Sequence, residues 1–215
     1  MKYKAVIFDL DGTLVNSIYD IADAMNTVLR KRNFNTFDYE TYKSFVGHGV
    51  RSLILKAVPE SPEKANLVDV CLKEMLDIYS NCCTDKTHPY PGILSLLEEL
   101  KSKDVKLAIL SNKEDSLTKK VAAAVLPDYI YPTLGLIEEA LKKPNPKVLL
   151  QICETLNVTP KECVYVGDTR ADIQVAKNAN MISVGVSWGF RDQEELVKEG
   201  AHHIINTPAD LLEIL

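Results

Sequence analysis

The stretch AVIFDLDGTLVNS, residues 5–17, decides how the rest of the chain is read. A short apolar run ends in two aspartates one residue apart, Asp9 and Asp11, and Gly12 and Thr13 follow at once. Asp-Gly is a strong turn signal and aspartate readily accepts from its own backbone, so a strand running into a turn is the plain reading. A divalent cation beside a reacting group is the other, because two neighbouring carboxylates repel unless a cation or donors offset them. The fragment by itself is compatible with both.

The composition narrows the setting. A chain of 215 residues can bury a good core, as one domain or one domain carrying a smaller insert. Hydrophobic residues at 46% and charged residues at 26% are ordinary for a soluble globular protein and exclude a disordered or collagen-like chain. The balance of 25 Lys+Arg against 30 Asp+Glu gives a net charge of −5, which argues against a general nucleic-acid surface. The opening MKYKAVIF is too short an apolar segment for a signal peptide, and no stretch approaches the roughly 18 to 20 apolar residues of a membrane span. Five cysteines, with no C-x-x-C pair, read as reduced thiols in a reducing compartment, so a cytoplasmic protein is expected.

After Val15 the periodicity changes from strand to helix. Ser17 and Asp20 have the spacing of a capping box, and Ile18, Ile21, Ala22, Met25, Val28 and Leu29 recur at helical intervals. A second long helix is expected from Ser61 and Pro62, burying Val68, Cys71, Leu72, Met75 and Tyr79, with a shorter helical piece after VGHGVRS. From HPYPG onward helices alternate with apolar strands: VKLAIL, a short strand near residues 129–131, CVYVG with a short helix after Asp172, ISVGV and HHIIN. That alternation predicts a Rossmann-like α/β fold, a parallel sheet covered on both faces. Residues 1–16 and 85–215 form this core in the expectation, and residues 17–84 are an inserted helical domain.

Ligands of open parallel sheets sit at the carboxyl ends of strands. There the sequence places Asp9, Asp11, Gly12 and Thr13, then Ser111, Asn112 and Lys113, then Gly167, Asp168 and Thr169 with Asp172 beyond. Lys143, before Pro144, can bring a cation into the same space, although Lys142 stands next to it. Phosphoryl transfer needs this kind of set, since its catalysis is mostly positioning and charge neutralisation. Magnesium takes oxygen ligands, so Asp9 and Asp168 suit it through carboxylates and Asp11 through its backbone carbonyl, which leaves the Asp11 carboxyl for proton transfer. The N–H groups around Asp11, Gly12 and Asn112 and the Ser111 hydroxyl would face phosphate oxygens, with Lys143 as a point charge. Taken singly, Ser111 also reads as a turn residue, Lys143 as a solvated lysine, and Asp168 and Asp172 as an Asx turn and a helix cap.

In order and spacing, DLDGTL, LSNK, the lysine of KKPNP and VGDTRAD resemble the four motifs of the haloacid dehalogenase superfamily of phosphohydrolases. The insert is similar to the helical cap of the subgroup that includes phosphoglycolate phosphatases, as are PYPGI and VSWGF. The resemblance implies a magnesium-dependent phosphatase for a small phosphorylated metabolite, with Asp9 as nucleophile and Asp11 as acid and then base. It further implies that Asp168 completes the metal site, that Asp172 binds metal or orients a water ligand, and that Ser111 and Lys143 hold the phosphoryl group; Thr13 is a further substrate-binding candidate. A pyrophosphatase, a sugar-phosphate mutase of the β-phosphoglucomutase type and a catalytically silent binding protein are the alternatives.

Selectivity is expected in the insert, which excludes water and touches the leaving group. In FVGHGVRSL, Gly47 and Gly49 permit close backbone approach, His48 is a further candidate, and Arg51 can pair with a substrate carboxylate or lie on a solvated helix face. Oligomeric state is not legible in one chain.

Overall fold

The structure, a computed structural model, describes residues 2–215. Its centre is a six-stranded parallel sheet in the order β5-β4-β1-β6-β7-β8. The strands are β1 (Ala5–Phe8), β4 (Lys106–Glu114), β5 (Thr133–Leu136), β6 (Cys163–Gly167), β7 (Ile182–Val186) and β8 (His203–Ile205). Side chains alternate across a strand, and with both faces covered every residue of β1 and β6 is buried. Val6, Phe8, Leu107, Ile109, Val164, Val166, Val184 and Val186 point to one apolar cluster. It includes residues of α5 (Ile93–Ser102) and α6 (Asp115–Val125). Ala5, Ile7, Ala108, Leu110, Cys163 and Tyr165 point to a second, filled by α7 (Lys147–Leu156) and α8 (Arg170–Asn178). Two short helices complete the chain, α9 (Gln193–Lys198) and α10 (Leu211–Ile214).

Four helices lie between β2 (Val15–Asn16) and β3 (His88–Pro89): α1 (Ile18–Arg30), α2 (Tyr39–Phe45), α3 (Gly49–Ala57) and α4 (Lys64–Cys82). β2 and β3 pair antiparallel, Val15 opposite Pro89 and Asn16 opposite His88, so the outgoing and returning crossings form one ribbon. No helix among the described residues is long and apolar enough to cross a membrane.

The expected capping box at Ser17 and Asp20 does not form. Ser17 Oγ donates to Asp11 Oδ1 at 2.5 Å instead. The Asp20 carboxylate, 2% exposed, accepts from the Lys86 and Thr87 N–H groups and from Thr87 Oγ1, at 2.7 to 3.0 Å. A buried carboxylate needs donors, and the returning crossing supplies more than the first turn of its own helix does.

Helix α2 was not expected, because TFDYETYKSF carries almost no apolar stripe. It is set by its cap, where Asp38 accepts from Thr41 N, and by Tyr42, its one buried residue, whose hydroxyl reaches Asn26 Oδ1 at 2.8 Å. The strand expected near residues 129–131 begins at Thr133. Gly135 makes that placement necessary: a Cβ there would lie 2.6 Å from both Asp115 Cα and the Lys113 carbonyl oxygen, so the edge strand and α6 meet at a residue with no side chain. Helix α8 starts before Asp172, which serves as the third residue of a capping box with Thr169. Helix α4 likewise starts at Lys64 rather than at Ser61 and Pro62, and Leu72 on it is half-buried.

Candidate active site

The parallel register brings the polar strand ends together. Phe8 stands opposite Val166, and Asp9 N donates to Val166 O at 2.9 Å, so Asp9 and Asp168 leave neighbouring strands at one level. Asp9, Asp168 and Asp172 each offer an oxygen within 4.8 Å of the others, all three buried. Lys143 Nζ lies among them, 2.6 Å from Asp172 Oδ1 and 3.0 Å from Asp9 Oδ1. Lys143 is thereby selected over Lys142, which pairs with Glu139 on the surface.

One ammonium does not balance three buried carboxylates. Burial, and next the charge of Asp172, pushes the Asp9 carboxyl up to about 7 against the pull of Lys143. Burial with Asp172 and Asp9 holds Asp168 well above the usual carboxylate range. Burial works against the charge of Lys143, but Asp172 and Asp9 outweigh it and its pKa is raised. A dry, oxygen-only cluster with surplus negative charge is the donor set of a hard divalent cation.

The atoms still available refine the expected ligand roles. Asp9 Oδ1 accepts from Leu10 N and faces Lys143, whereas Oδ2 has no donor among the described residues. Asp168 is aimed from both sides, by Thr13 Oγ1 at 3.1 Å and Phe190 N at 2.8 Å. Gly12, with φ +86°, and Gly189 leave it room, since a Cβ at either would fall within 2.3 Å of an Asp168 side-chain atom. Both oxygens of Asp172 are already engaged: Oδ1 by Lys143 and Tyr165 Oη, Oδ2 by Thr169 N and Oγ1. Asp172 therefore holds Lys143 in place rather than presenting an open oxygen.

Asp11 stands apart from the acidic cluster. Lys113 Nζ donates to both its oxygens, at 2.7 and 2.8 Å, beside the Ser17 hydroxyl. Opposite β5, residues Leu110 to Glu114 of β4 span what Leu134 to Leu136 span, a bulge of two extra residues that lifts Ser111, Asn112 and Lys113 out of the ladder. The Ser111 oxygen accepts from Lys113 N and keeps its own proton to give.

Two expected substrate contacts are internal braces. The Thr13 hydroxyl is spent on Asp168, and its carbonyl accepts from Trp188 Nε1 at 3.0 Å. Asn112 Oδ1 accepts from Lys143 N at 2.8 Å while Nδ2 donates to Gly47 O at 3.1 Å.

One cavity joins the sheet edge to the helices. Asp9, Asp11, Ser111, Asn112 and Lys113 line one side, and Gly47, Gly49, Val50, Leu53, Met75 and Tyr79 the other. His48 begins α3 outside this lining, its pKa lowered by burial and by the charges of Lys56 and Arg191. Arg51 is also outside it, half-exposed and paired with Asp69 at 2.6 Å. Arg51 lies roughly opposite the buried Leu53 around α3, and its guanidinium reaches Asp69 on α4.

Sequence reasoning passed over Lys113 as a partner of Asp11, Tyr165 as a partner of Asp172, and residues 188–190 as the brace of Asp168. Adjacency to LSN was a signal for Lys113, and a tyrosine at an inward-facing strand position was one for Tyr165. Arg191, which donates to the Lys43, Ser44 and Val46 carbonyls and so ties the loop after β7 to the end of α2, had none.

Residues 6–186 match the family model described as haloacid dehalogenase-like hydrolase. The chain belongs to the haloacid dehalogenase-like hydrolase family. Within that family it is 34% identical to a phosphoglycolate phosphatase of Psychrobacter arcticus, over 91% of this chain and 88% of that protein. It is 32% identical to a phosphoglycolate phosphatase of Aquifex aeolicus, over 99% and 96%. A crystal structure described as a predicted phosphoglycolate phosphatase from Haemophilus somnus superposes with a TM-score of 0.89 at 26% identity, covering 100% of this chain and 98% of that one.

Proposed function

We propose that this protein is a magnesium-dependent phosphomonoester hydrolase that works through an aspartyl phosphate on Asp9, with a short phosphorylated 2-hydroxy acid such as phosphoglycolate as its leading substrate. The observation that carries the reading is the separation of two carboxylates on one loop: Asp9 lies in the acidic cluster with one oxygen free, and Asp11 lies outside it, held by Lys113 and Ser17. The names of the relatives support the substrate class. Residues 17–84 act as the cap and residues 1–16 and 85–215 as the core in this reading, and the cavity between them receives the substrate. The reduced thiols suit the cytoplasm.

Asp9 Oδ2 attacks phosphorus, forming a P–O bond while the bond to the leaving oxygen breaks. Asp11, entering the step in its protonated form, gives that oxygen its proton and then takes one from the water that attacks the same phosphorus; the bond from phosphorus to Asp9 breaks, phosphate and the Asp9 carboxylate are released, and Asp11 ends the cycle protonated as it began. Ser111 and Lys143 bear on the phosphoryl oxygens, and Asn112 and Asp172 keep Lys143 in position. Asp9, Asp168 and the Asp11 carbonyl would hold the magnesium ion. Bound there, it would offset the charge of the carboxylates and of the phosphoryl oxygens.

Hydrolysis of an aryl phosphate with magnesium tests the reading. Asp9→Asn abolishes turnover with the circular dichroism spectrum retained, and chelation stops the wild-type enzyme. Undiminished turnover by Asp9→Asn would sink the nucleophile assignment.

A further inference from the structure

The cavity contains two donors that the steps above leave without acceptors. Among the described residues, Tyr79 Oη is the only buried side-chain nitrogen or oxygen with no hydrogen-bond partner. Leaving such a hydroxyl unpaired is costly, so its presence on a cavity wall calls for a ligand. Lys113 is the second. An ammonium has three N–H donors; the two oxygens of Asp11 take two of those of Lys113, and the third is on the side of Tyr79, to which no hydrogen bond of good geometry is made. Its Nζ lies 4.8 Å from the Tyr79 ring centroid, so the spare donors are neighbours.

The surroundings define what they take. Around Tyr79 the wall is Ile21, Val46, Val50, Leu53 and Met75, which have no polar side-chain atom that could satisfy a substrate. Glu114, which also lines the cavity, caps α6 through Oε2, which accepts from Leu117 N and Ser116 Oγ. Tyr79 Oη has no acceptor and Lys113 has one more N–H than the Asp11 oxygens take, and two such donors suit a group that only accepts. A hydroxyl would strand its own proton against the apolar wall, whereas a carboxylate has no proton to strand. The site is also close to the chemistry, because Lys113 touches Asp11, the residue that protonates the leaving oxygen.

We propose that Tyr79 Oη and Lys113 Nζ form the subsite that reads a carboxylate on the leaving group, one or two carbons from the ester oxygen. This rests on the phosphomonoester hydrolase reading and names the residues that select among such esters. It gives to α4 and the β4 bulge the role that the sequence suggested for Arg51.

Calorimetric binding of two non-hydrolysable phosphonates in the presence of magnesium tests it. 3-Phosphonopropionate carries the carboxylate, and propylphosphonate has a methyl in its place. Wild-type protein is expected to bind the first at least tenfold more tightly. Tyr79→Phe, which removes one oxygen, should cut that ratio about tenfold, and Lys113→Gln should do the same by an independent route. Equal affinities in the wild type overturn the subsite, as does a ratio that neither variant alters, including the case where both affinities fall together. Hydrolysis of an aryl phosphate by the wild type, run in parallel, reports separately on the reading beneath: its absence overturns the hydrolase, and the affinity ratio overturns only the subsite.

Discussion

Lys113 Nζ stands 2.7 and 2.8 Å from the two carboxylate oxygens of Asp11, with the Lys113 side chain 6% and that of Asp11 10% exposed. Burial works against the lysine's charge, and the charge and hydrogen bonds of Asp11 outweigh it, so its pKa is raised. Removing one member leaves the other charged and buried. Lys113→Met should therefore destabilise the fold by about 3 kcal/mol, measured by urea unfolding. Adding Asp11→Asn should recover part of the loss, whereas strictly additive losses would show that the pair is not coupled.

Asn112 spends both ends of its amide on backbone, on Lys143 N and the Gly47 carbonyl. Asn112→Ala should lower kcat/KM for an aryl phosphate by about tenfold, the value of roughly one to two hydrogen bonds. Aspartate at this position keeps the acceptor for Lys143 N and should retain more activity than alanine. Equal losses in the two variants would assign the effect to packing.

Gly12 has φ +86°, and a Cβ there would lie 2.3 Å from Asp168 Oδ2. Gly12→Ala combines a backbone penalty of about 1 kcal/mol with displacement of a buried carboxylate. The expected result is at least tenfold weaker magnesium binding by calorimetry together with a lower melting temperature. Unchanged magnesium affinity would remove Asp168 from the metal site.

Glu162 connects the starts of β1 and β6. Its hydrogen bond with Lys4, followed by those from Thr159 N and Oγ1, lowers its pKa to about 2 from a usual 4.5. A carboxyl depressed in the folded state contributes stability that is full above about pH 4.5 and is lost as the pH falls toward 2. Thermal melts from pH 6 to 3 should show a shallower acid decline in Glu162→Gln than in the wild type, and parallel curves would discard the assignment.

The parts that were legible in the sequence are those where one local cause decides the structure. VKLAIL, CVYVG and ISVGV are strands because they are apolar and short, and helix Asp115–Val125 has its capping acid at Glu114. The meeting of Asp9 and Asp168 follows from strand order, since parallel strands end on the same edge, while Asp172 arrives on the first turn of α8 and Lys143 on the loop before α7. Misreadings occur where two causes compete. Asp20 has the spacing of a capping residue, but residues 86–87 bind it more fully. Arg51 has the chemistry for a carboxylate, but an exposed partner, Asp69 of α4, already takes it. Tyr79 was readable as a buried residue of α4, and only the three-dimensional neighbourhood reveals that its hydroxyl has no partner.

The anchorage of Asp20 bears on how the molecule can move. Its three donors all belong to Lys86 and Thr87, just before the ribbon formed by Val15–Asn16 and His88–Pro89. The two threads that carry the helices are thus riveted together at their base. These bonds oppose independent twisting of the two threads. A wall mounted this way has one register against the sheet edge, the one in which Tyr79 stands beside Lys113.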